Sequence, residues 1–139
     1  MARATSTPTR TRRTRLSTET TRRVARAYFD AWTTAAGADR LRTLLDEGFV
    51  FEAGPQRIEG REAFLAGGGW PEHATTTMVA DGYDSGHAFQ FYEAFHNDQH
   101  VRIAEHLVVR DDRIVSSEIV VDAAAFTAFF VGASPQDEP

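Results

Sequence analysis

The stretch from residue 87 to residue 122, HAFQFYEAFHNDQHVRIAEHLVVRDDRIVSSEIVVD, decides the fold of this chain. It is dense in Phe, Tyr, Val and Ile, and it is interrupted by Asn97-Asp98 and by Asp111-Asp112. Aromatic and β-branched residues favour strands, whereas Asn and Asp favour tight turns. The pattern therefore predicts three consecutive antiparallel strands joined by short connections.

One carboxylate interrupts the apolar pattern of the middle strand. Residues 101–110 alternate, so that Glu105 shares one strand face with four apolar side chains. A face of that composition is expected to be buried, and burying an unpartnered carboxylate costs several kcal/mol. Glu105 is therefore the strongest candidate for a functional group in the chain.

The loop between the first two strands decides which side chains accompany Glu105. A three-residue loop at 97–99 places Phe91 opposite Glu105, whereas a two-residue loop at 98–99 places Tyr92 there. We favour the three-residue loop, because it turns the Phe residues of the first strand inward.

Two further groups are candidates for a base. The favoured register places Glu93 opposite Ile103, on the same apolar wall as Glu105. Two carboxylates on one wall can share a proton and divide acid and base roles between them. His73 follows the Gly-rich segment 67–69, so it could reach the mouth of a pocket.

The N-terminal half predicts helices. A hydroxyl-rich turn at Ser17 and an apolar stripe that includes Tyr28 and Trp32 predict a helix that begins near residue 17 and ends at Gly37. A shorter helix is expected between Asp39 and Gly48. The remaining elements are a strand at 49–53, a strand-to-helix unit at 58–65, a loop at 67–69, a strand at 74–80 and a terminal helix capped by Asp122.

These segments predict a domain organisation and a fold class. Residues 1–15 are rich in Thr and Arg and almost free of apolar side chains, which predicts a disordered leader. A single folded domain is expected over residues 16–132, followed by a frayed C-terminus at 133–139. Helices followed by a run of antiparallel strands are typical of an α+β fold with helices on one face of a curved, mainly antiparallel sheet.

Composition argues against several classes of function. The 139 residues include no Cys, and the five His residues have no metal-ligand spacing. Residues 24–139 carry eight Arg and nineteen acids, a net charge of −11 that disfavours nucleic acid as a partner. No apolar run is long enough to span a membrane. We therefore expect a cytoplasmic protein with no cofactor, no metal, no membrane contact and no nucleic-acid partner.

The chain resembles the NTF2-like superfamily, especially its SnoaL-like and ketosteroid-isomerase-like branches. The resemblance covers about residues 17–131 and rests on Tyr28-Phe29-Asp30-Ala31-Trp32, Phe49-Val50-Phe51-Glu52, Gly60-Arg61-Glu62-Ala63-Phe64 and Asp111-Asp112-Arg113-Ile114-Val115. It implies a cone whose sheet and helices enclose an apolar pocket, in a homodimer packed through the sheets. It does not imply one activity, because the superfamily hosts isomerases, cyclases, epoxide hydrolases, dehydratases and non-catalytic binders.

The resemblance also implies roles for particular residues. In the ketosteroid-isomerase-like branch, a Tyr of the first helix and an acid of the penultimate strand form an oxyanion hole, and by position these are Tyr28 and Glu105. The base of that branch would fall near Ala53, next to Glu52. The epoxide-hydrolase branch uses an Arg-x-Asp pair that would fall near residues 91–93, where this chain has no Arg.

The predicted function is acid–base isomerisation or cyclisation of a small apolar molecule that bears a carbonyl group. The alternatives are a non-catalytic binding or dimerisation module, and an epoxide hydrolase or dehydratase. An enzyme should have an apolar cavity of about 300 Å³ or more that touches Glu105, whereas a module should fill that space. The candidate catalytic residues are Glu105, Tyr28, Glu93 and His73, and the candidate substrate-binding residues are Trp32, Phe51, Trp70, Phe89, Phe91 and Ile119.

The opposite face of the predicted sheet is too apolar for free solvent, so we expect a homodimer that packs through it. In the favoured register this face carries Ala104, His106, Val108, Val120 and Tyr92.

Overall fold

The computed structural model describes residues 2–131, with side chains for residues 17–130. The predicted frayed C-terminus at 133–139 lies outside the described residues. The elements are α1 (Ala2–Trp32), α2 (Ala38–Leu44), β1 (Leu45–Ala53), β2 (Gln56–Glu59), α3 (Arg61–Ala66), β3 (Thr75–Asp84), β4 (His87–His96), β5 (Gln99–Arg110), β6 (Arg113–Val120) and α4 (Ala123–Val131). The prediction of an α+β fold with a curved, mainly antiparallel sheet is confirmed.

The six strands form one sheet in the order β2-β1-β6-β5-β4-β3. Strands β3 to β6 form an antiparallel meander, and β1 is antiparallel to β2 but parallel to β6. Register shifts occur between Met78 and Ala80 and between Val108 and Val109. Such bulges bend and twist a strand, which helps the sheet to curve around the helices.

The first helix is longer than the sequence predicts. α1 begins at Ala2, whereas the predicted start is near Ser17 after a disordered leader. Arg and Ala are good helix formers, whereas the prediction rested on the lack of apolar side chains alone. The side chains of residues 1–16 lie outside the described part, so a domain boundary at residue 16 stays a prediction.

α1 also ends before its predicted stop. The helix ends at Trp32, and Gly37 instead closes the turn into α2, donating its N–H to Thr34 O at 3.1 Å. A Cβ at this position would lie 2.0 Å from Ala31 O. Only glycine fits so close to a backbone carbonyl.

Two strands are longer than predicted. β1 begins at Leu45, so Gly48 lies inside the strand and does not terminate α2. Leu45 is fully buried and pairs with Ile114 of β6, so tertiary pairing outweighs its helix propensity. β3 continues to Asp84, which pairs with His87 across a tight turn.

The favoured register between β4 and β5 is wrong. His96 pairs with Gln99, so the loop has two residues, Asn97 and Asp98, and Gln90 stands opposite Glu105. Asn97 has a φ of 56°, a left-handed conformation that Asn adopts more readily than most residues. This loop turns Tyr92, and not the Phe residues of β4, towards the helices.

The described helices cover one face of the sheet, which we call the inner face, and leave the other, outer face uncovered by the described residues. α1 lies across β3 to β6, and α3 and α4 close one end of the curved sheet. Inward side chains of β4 and β5 pack beneath α1 as a buried core: Ala88, Tyr92, Ala94, Val101, Ile103 and Leu107.

Candidate functional site

Glu105 lies at the centre of β5 and points from the inner face towards α1. Its side chain is 2 % exposed, although it shares this face with Ile103 and Leu107, both fully buried. The alternation of the strand therefore places a carboxylate inside the apolar core, as the sequence predicts.

Three hydroxyl groups donate hydrogen bonds to this carboxylate. Tyr28 of α1 donates to Glu105 Oε2 at 2.7 Å, and Ser117 of β6 donates to the same oxygen at 2.5 Å. Tyr92 of β4 donates to Oε1 at 2.6 Å. Since a carboxylate has about four acceptor positions, the described residues leave one position open on Oε1.

A fourth side chain extends this arrangement. The indole N–H of Trp32 donates to the Tyr92 hydroxyl oxygen at 2.8 Å. We call the five residues Tyr28, Trp32, Tyr92, Glu105 and Ser117 the Glu105 network. All five are at least nine-tenths buried, so their hydrogen bonds are shielded from water.

Burial changes the acidity of the network. Desolvation raises the pKa of Glu105, and the hydrogen bonds from Ser117, Tyr92 and Tyr28 oppose that rise. The pKa values of Tyr28 and Tyr92 lie well above the usual value, first because of burial and then because of the charge on Glu105. Both tyrosines are therefore neutral donors, and Glu105 is a stronger base than an exposed carboxylate.

A cavity of about 280 Å³ opens beside the network, at the end of the cone closed by α3 and α4. We call it the mouth cavity. Its walls include Trp32, Phe51, Phe64 and Phe126, with Gln56 among its polar groups. Trp32 is the network residue that lines this cavity, and the carboxylate of Glu105 lies behind it.

A smaller cavity of about 150 Å³, the back cavity, lies between α1, α2 and α3. It shares Trp32 and Phe64 with the mouth cavity, and Trp70 also lines it. Trp70 is 3 % exposed, and its indole N–H has no hydrogen-bond partner among the described residues. The two tryptophans pack against each other, with ring centroids 5.1 Å apart.

The two candidate bases do not join this site. The register correction turns Glu93 to the outer face, where it accepts a hydrogen bond from Arg102 at 2.9 Å. His73 is exposed in the loop after Trp70, and it lines neither cavity. The expected position of Glu93 is therefore wrong, and a role for His73 stays a prediction.

The candidate substrate-binding residues divide between the two faces. Trp32 and Phe51 line the mouth cavity, and Ile119 is buried on the inner face, where it pairs with Glu105. Phe89 and Phe91 lie on the outer face, with Phe89 55 % exposed, because the loop between β4 and β5 is shorter than predicted.

Sequence reasoning missed two members of the network, Tyr92 and Ser117. The signal for Ser117 was present, because alternation along β6 places it on the same face as the apolar Ile119. Tyr92 was assigned to the outer face with the wrong register. A buried carboxylate needs hydrogen-bond donors, and the neighbouring strand contains one tyrosine. This need would have favoured the register that turns Tyr92 towards the inner face.

Neither a metal centre nor a membrane span is found in the described part. Among residues 17–130, no three His, Cys, Asp or Glu side chains are arranged to hold a metal ion. No helix within residues 2–131 is both long and apolar enough to cross a bilayer.

Comparison with known proteins identifies the fold. No protein-family model and no curated protein matches the chain. A ketosteroid isomerase-like protein from Kribbella flavida superposes with a TM-score of 0.69 at 24% identity, covering 76% of this chain and 79% of that one. An LEH-like epoxide hydrolase from M. tuberculosis superposes with a TM-score of 0.63 at 18% identity, covering 84% and 93%.

A SnoaL-like protein from Jannaschia sp. CCS1 matches over 88% of this chain and 95% of its own, with a TM-score of 0.66 at 15% identity. The chain has the NTF2-like fold. At these identities the similarity establishes the fold, which serves several different reactions.

Proposed function

We propose that this protein catalyses acid–base isomerisation or cyclisation of a small apolar molecule that bears a carbonyl group, with Glu105 as the proton-carrying group. One observation carries the proposal: a buried carboxylate with a raised pKa is held by Tyr28, Tyr92 and Ser117 inside an apolar core. A proton next to a carbonyl is removed by a base of this kind.

The same carboxylate can serve both halves of such a reaction. Glu93 and His73 lie away from it, so Glu105 would take the proton at the open acceptor position of Oε1 and return it to another carbon. Tyr28 holds the carboxylate from the helix side and remains neutral because of its raised pKa. Isomerases that work by proton transfer combine such a base with a hydrogen-bond donor that stabilises the enolate oxygen.

A non-catalytic binding module is the second candidate, and a specific observation favours it. The carboxylate lies behind Trp32, and the mouth cavity of about 280 Å³ is lined by Trp32 and not by Glu105. In this alternative, the Glu105 network only holds α1 against the sheet. An epoxide hydrolase is supported less well, because the relevant positions on β4 hold Phe91 and Glu93, both on the outer face.

Proton exchange next to a ketone tests the two candidates directly. 2-Tetralone in D₂O exchanges its α-protons when a base forms the enol, and NMR follows the loss of the proton signal. We expect wild-type protein to accelerate exchange, and both Glu105→Gln and Glu105→Ala to lower the rate by at least about 100-fold per folded molecule. The control is Glu47→Gln, which changes an exposed carboxylate of β1. This variant should accelerate proton exchange as much as wild type does.

A folded Glu105→Ala protein with wild-type exchange would end the catalytic proposal. A loss in Glu105→Ala that Glu105→Gln largely restores would assign Glu105 to oxyanion stabilisation, because an amide donates a hydrogen bond but does not take the proton.

We also propose that the partner on the outer face is a second copy of the chain. The outer cleft, of about 440 Å³, is lined by Phe89, Phe91, Ala104 and Val120. Phe89 and Val120 are 55 % and 71 % exposed. A second copy would remove these apolar side chains from water, as two-fold interfaces do.

A further inference from the structure

Trp32 is the residue through which the mouth cavity meets the Glu105 network. Its ring forms part of the cavity wall, and its indole N–H donates to the Tyr92 hydroxyl at 2.8 Å. Tyr92 in turn donates to Glu105 Oε1 at 2.6 Å. One side chain therefore separates a ligand in the cavity from a buried tyrosine and carboxylate.

The Tyr92 hydroxyl has one donor and two acceptor positions. Its proton is committed to Glu105, and the indole N–H of Trp32 occupies one of its acceptor positions. A group that replaces the indole must therefore bring its own hydrogen-bond donor. A hydroxyl group meets that need, whereas a bare hydrocarbon leaves the tyrosine oxygen short of a partner.

The surroundings of Trp32 leave room for such an exchange. The back cavity, with a volume of about 150 Å³, is lined by the same ring, and Phe64 borders both cavities. The indole packs against Phe64 and Trp70, with ring centroids 5.6 Å and 5.1 Å away. No hydrogen bond other than that to Tyr92 holds it among the described residues.

We propose that Trp32 and Tyr92 select the ligand: an apolar molecule with an enol or phenol hydroxyl displaces the indole N–H and donates its own hydrogen bond to Tyr92. This rests on the proposed function for the identity of the ligand: once Glu105 has taken a proton from the carbon next to the carbonyl, passing that proton through Tyr92 to the enolate oxygen gives the enol and restores the carboxylate. Trp32 acts as a specificity-determining residue, and Tyr92 positions the hydroxyl beside Glu105.

Two matched probes test this selection. 2-Naphthol and 2-methylnaphthalene have nearly the same shape, and only the first carries a hydroxyl donor. Equilibrium dialysis measures the ratio of their dissociation constants for wild type, Trp32→Phe and Tyr92→Phe. Wild type should prefer 2-naphthol. Trp32→Phe, which removes the competing N–H, should raise that preference about tenfold, and Tyr92→Phe should abolish it.

Phe64→Leu is the control, because it enlarges the same cavity without changing a hydrogen bond, and it should affect both probes alike. Tyr92→Phe keeps the shape of the side chain, so it preserves the test if Trp32→Phe does not fold. An equal preference in all variants would overturn the proposal, as would a gain in Phe64→Leu as large as that in Trp32→Phe, or a wild type that binds neither probe.

The outcome is separable from that of the proposed function, because binding ratios need no turnover. If proton exchange depends on Glu105 but the ratio of dissociation constants is the same in all variants, the ligand selection is refuted and the catalytic proposal stands. If the ratio shifts but no proton exchange is catalysed, the ligand selection stands and the protein is a binding module.

Discussion

Alternate residues of β4 and β5 lie on opposite faces of the sheet, and the two faces differ in the side chains that they bury and expose. On the inner face, Glu105 and Tyr92 are buried and hydrogen-bonded to each other and to α1 and β6. On the outer face, Phe89 and Phe95 are 55 % and 44 % exposed beside ionic side chains. The inner face hides its polar groups, and the outer face leaves its apolar ones uncovered.

This contrast distinguishes side chains that stabilise the fold from side chains that are available to bind other molecules. A buried carboxylate with three donors is a costly arrangement that a purely apolar core would avoid. Exposed aromatic side chains likewise leave apolar surface in contact with water in a lone chain. In the functions proposed above, the buried carboxylate acts on a ligand and the exposed aromatic side chains contact a second copy of the chain.

The largest effect is expected from removing the buried carboxylate of the inner face. Glu105→Ala leaves the hydroxyls of Tyr28, Tyr92 and Ser117 without their acceptor and creates a void, so it should lower the free energy of unfolding by about 3 kcal/mol. Urea denaturation measures this. The matched outer-face change, Glu93→Ala, removes partly exposed contacts with Arg102 at 2.9 Å and His100 at 3.7 Å, and it should cost less than about 1 kcal/mol. Equal costs would mean that the network does not stabilise the fold.

A smaller effect depends on pH. The folded-state pKa of Glu105 is raised above its usual value of 4.5, so the folded protein holds this proton more tightly than the unfolded chain does. The contribution to stability is complete below pH 4.5 and is lost as pH rises through the folded-state pKa.

Melting temperatures between about pH 4 and about pH 8 check this. Wild type should lose stability relative to Glu105→Gln as pH rises, because the variant has no proton to release at this position. Parallel curves for the two proteins would show that Glu105 keeps an ordinary pKa.

A still smaller effect on the folded chain comes from the outer face. Phe89→Glu should convert a dimer into a monomer in light scattering, since it places a charge in the outer cleft. The unfolding free energy of each chain should change by less than about 0.5 kcal/mol. Thr43→Glu, on the exposed side of α2, should keep the dimer. A wild-type protein that is monomeric at high micromolar concentration would contradict the proposed dimer.

The smallest effect is expected from the N-terminus. Deleting residues 1–15 removes none of the described side-chain contacts on the inner face, so the melting temperature should shift by less than about 2 °C. Deleting residues 1–23 also removes Thr21, which is buried and accepts the N–H of Gly86 at 2.8 Å. The longer deletion should therefore be clearly destabilising. A large loss in the shorter one would place the domain boundary before residue 16.

Sequence periodicity predicted the fold because long alternating strands and an apolar helix stripe leave few arrangements. Alternation along β5 predicted the burial of Glu105, and the resemblance to the ketosteroid-isomerase-like branch implied its pairing with Tyr28. The hydrogen bond of 2.7 Å between them agrees with that expectation.

The rest of the site depended on one residue of register. A shift of one position exchanges the two faces of a strand, so the same error moved Glu93 inward and Tyr92 outward. Loop length is poorly determined by sequence where the turn lacks glycine, as it does at Asn97 and Asp98. Trp32 was predicted to bind substrate, but its hydrogen bond to Tyr92 could not be predicted, because the wrong register placed Tyr92 on the outer face.

The parallel pairing of β1 with β6 has a consequence for the order in which the chain folds. Strands β3 to β6 pair with their neighbours in sequence, whereas Phe51 of β1 pairs with Ser117 near the other end of the chain. Closing so long a loop costs entropy that no local contact offsets, so this pairing is expected to come late. During synthesis, β1 and β2 can pack against α2 and α3, but the edge of β1 stays unpaired until β6 has left the ribosome. Unpaired strand edges favour aggregation, so the chain is expected to be exposed to it until residues 113–120 emerge.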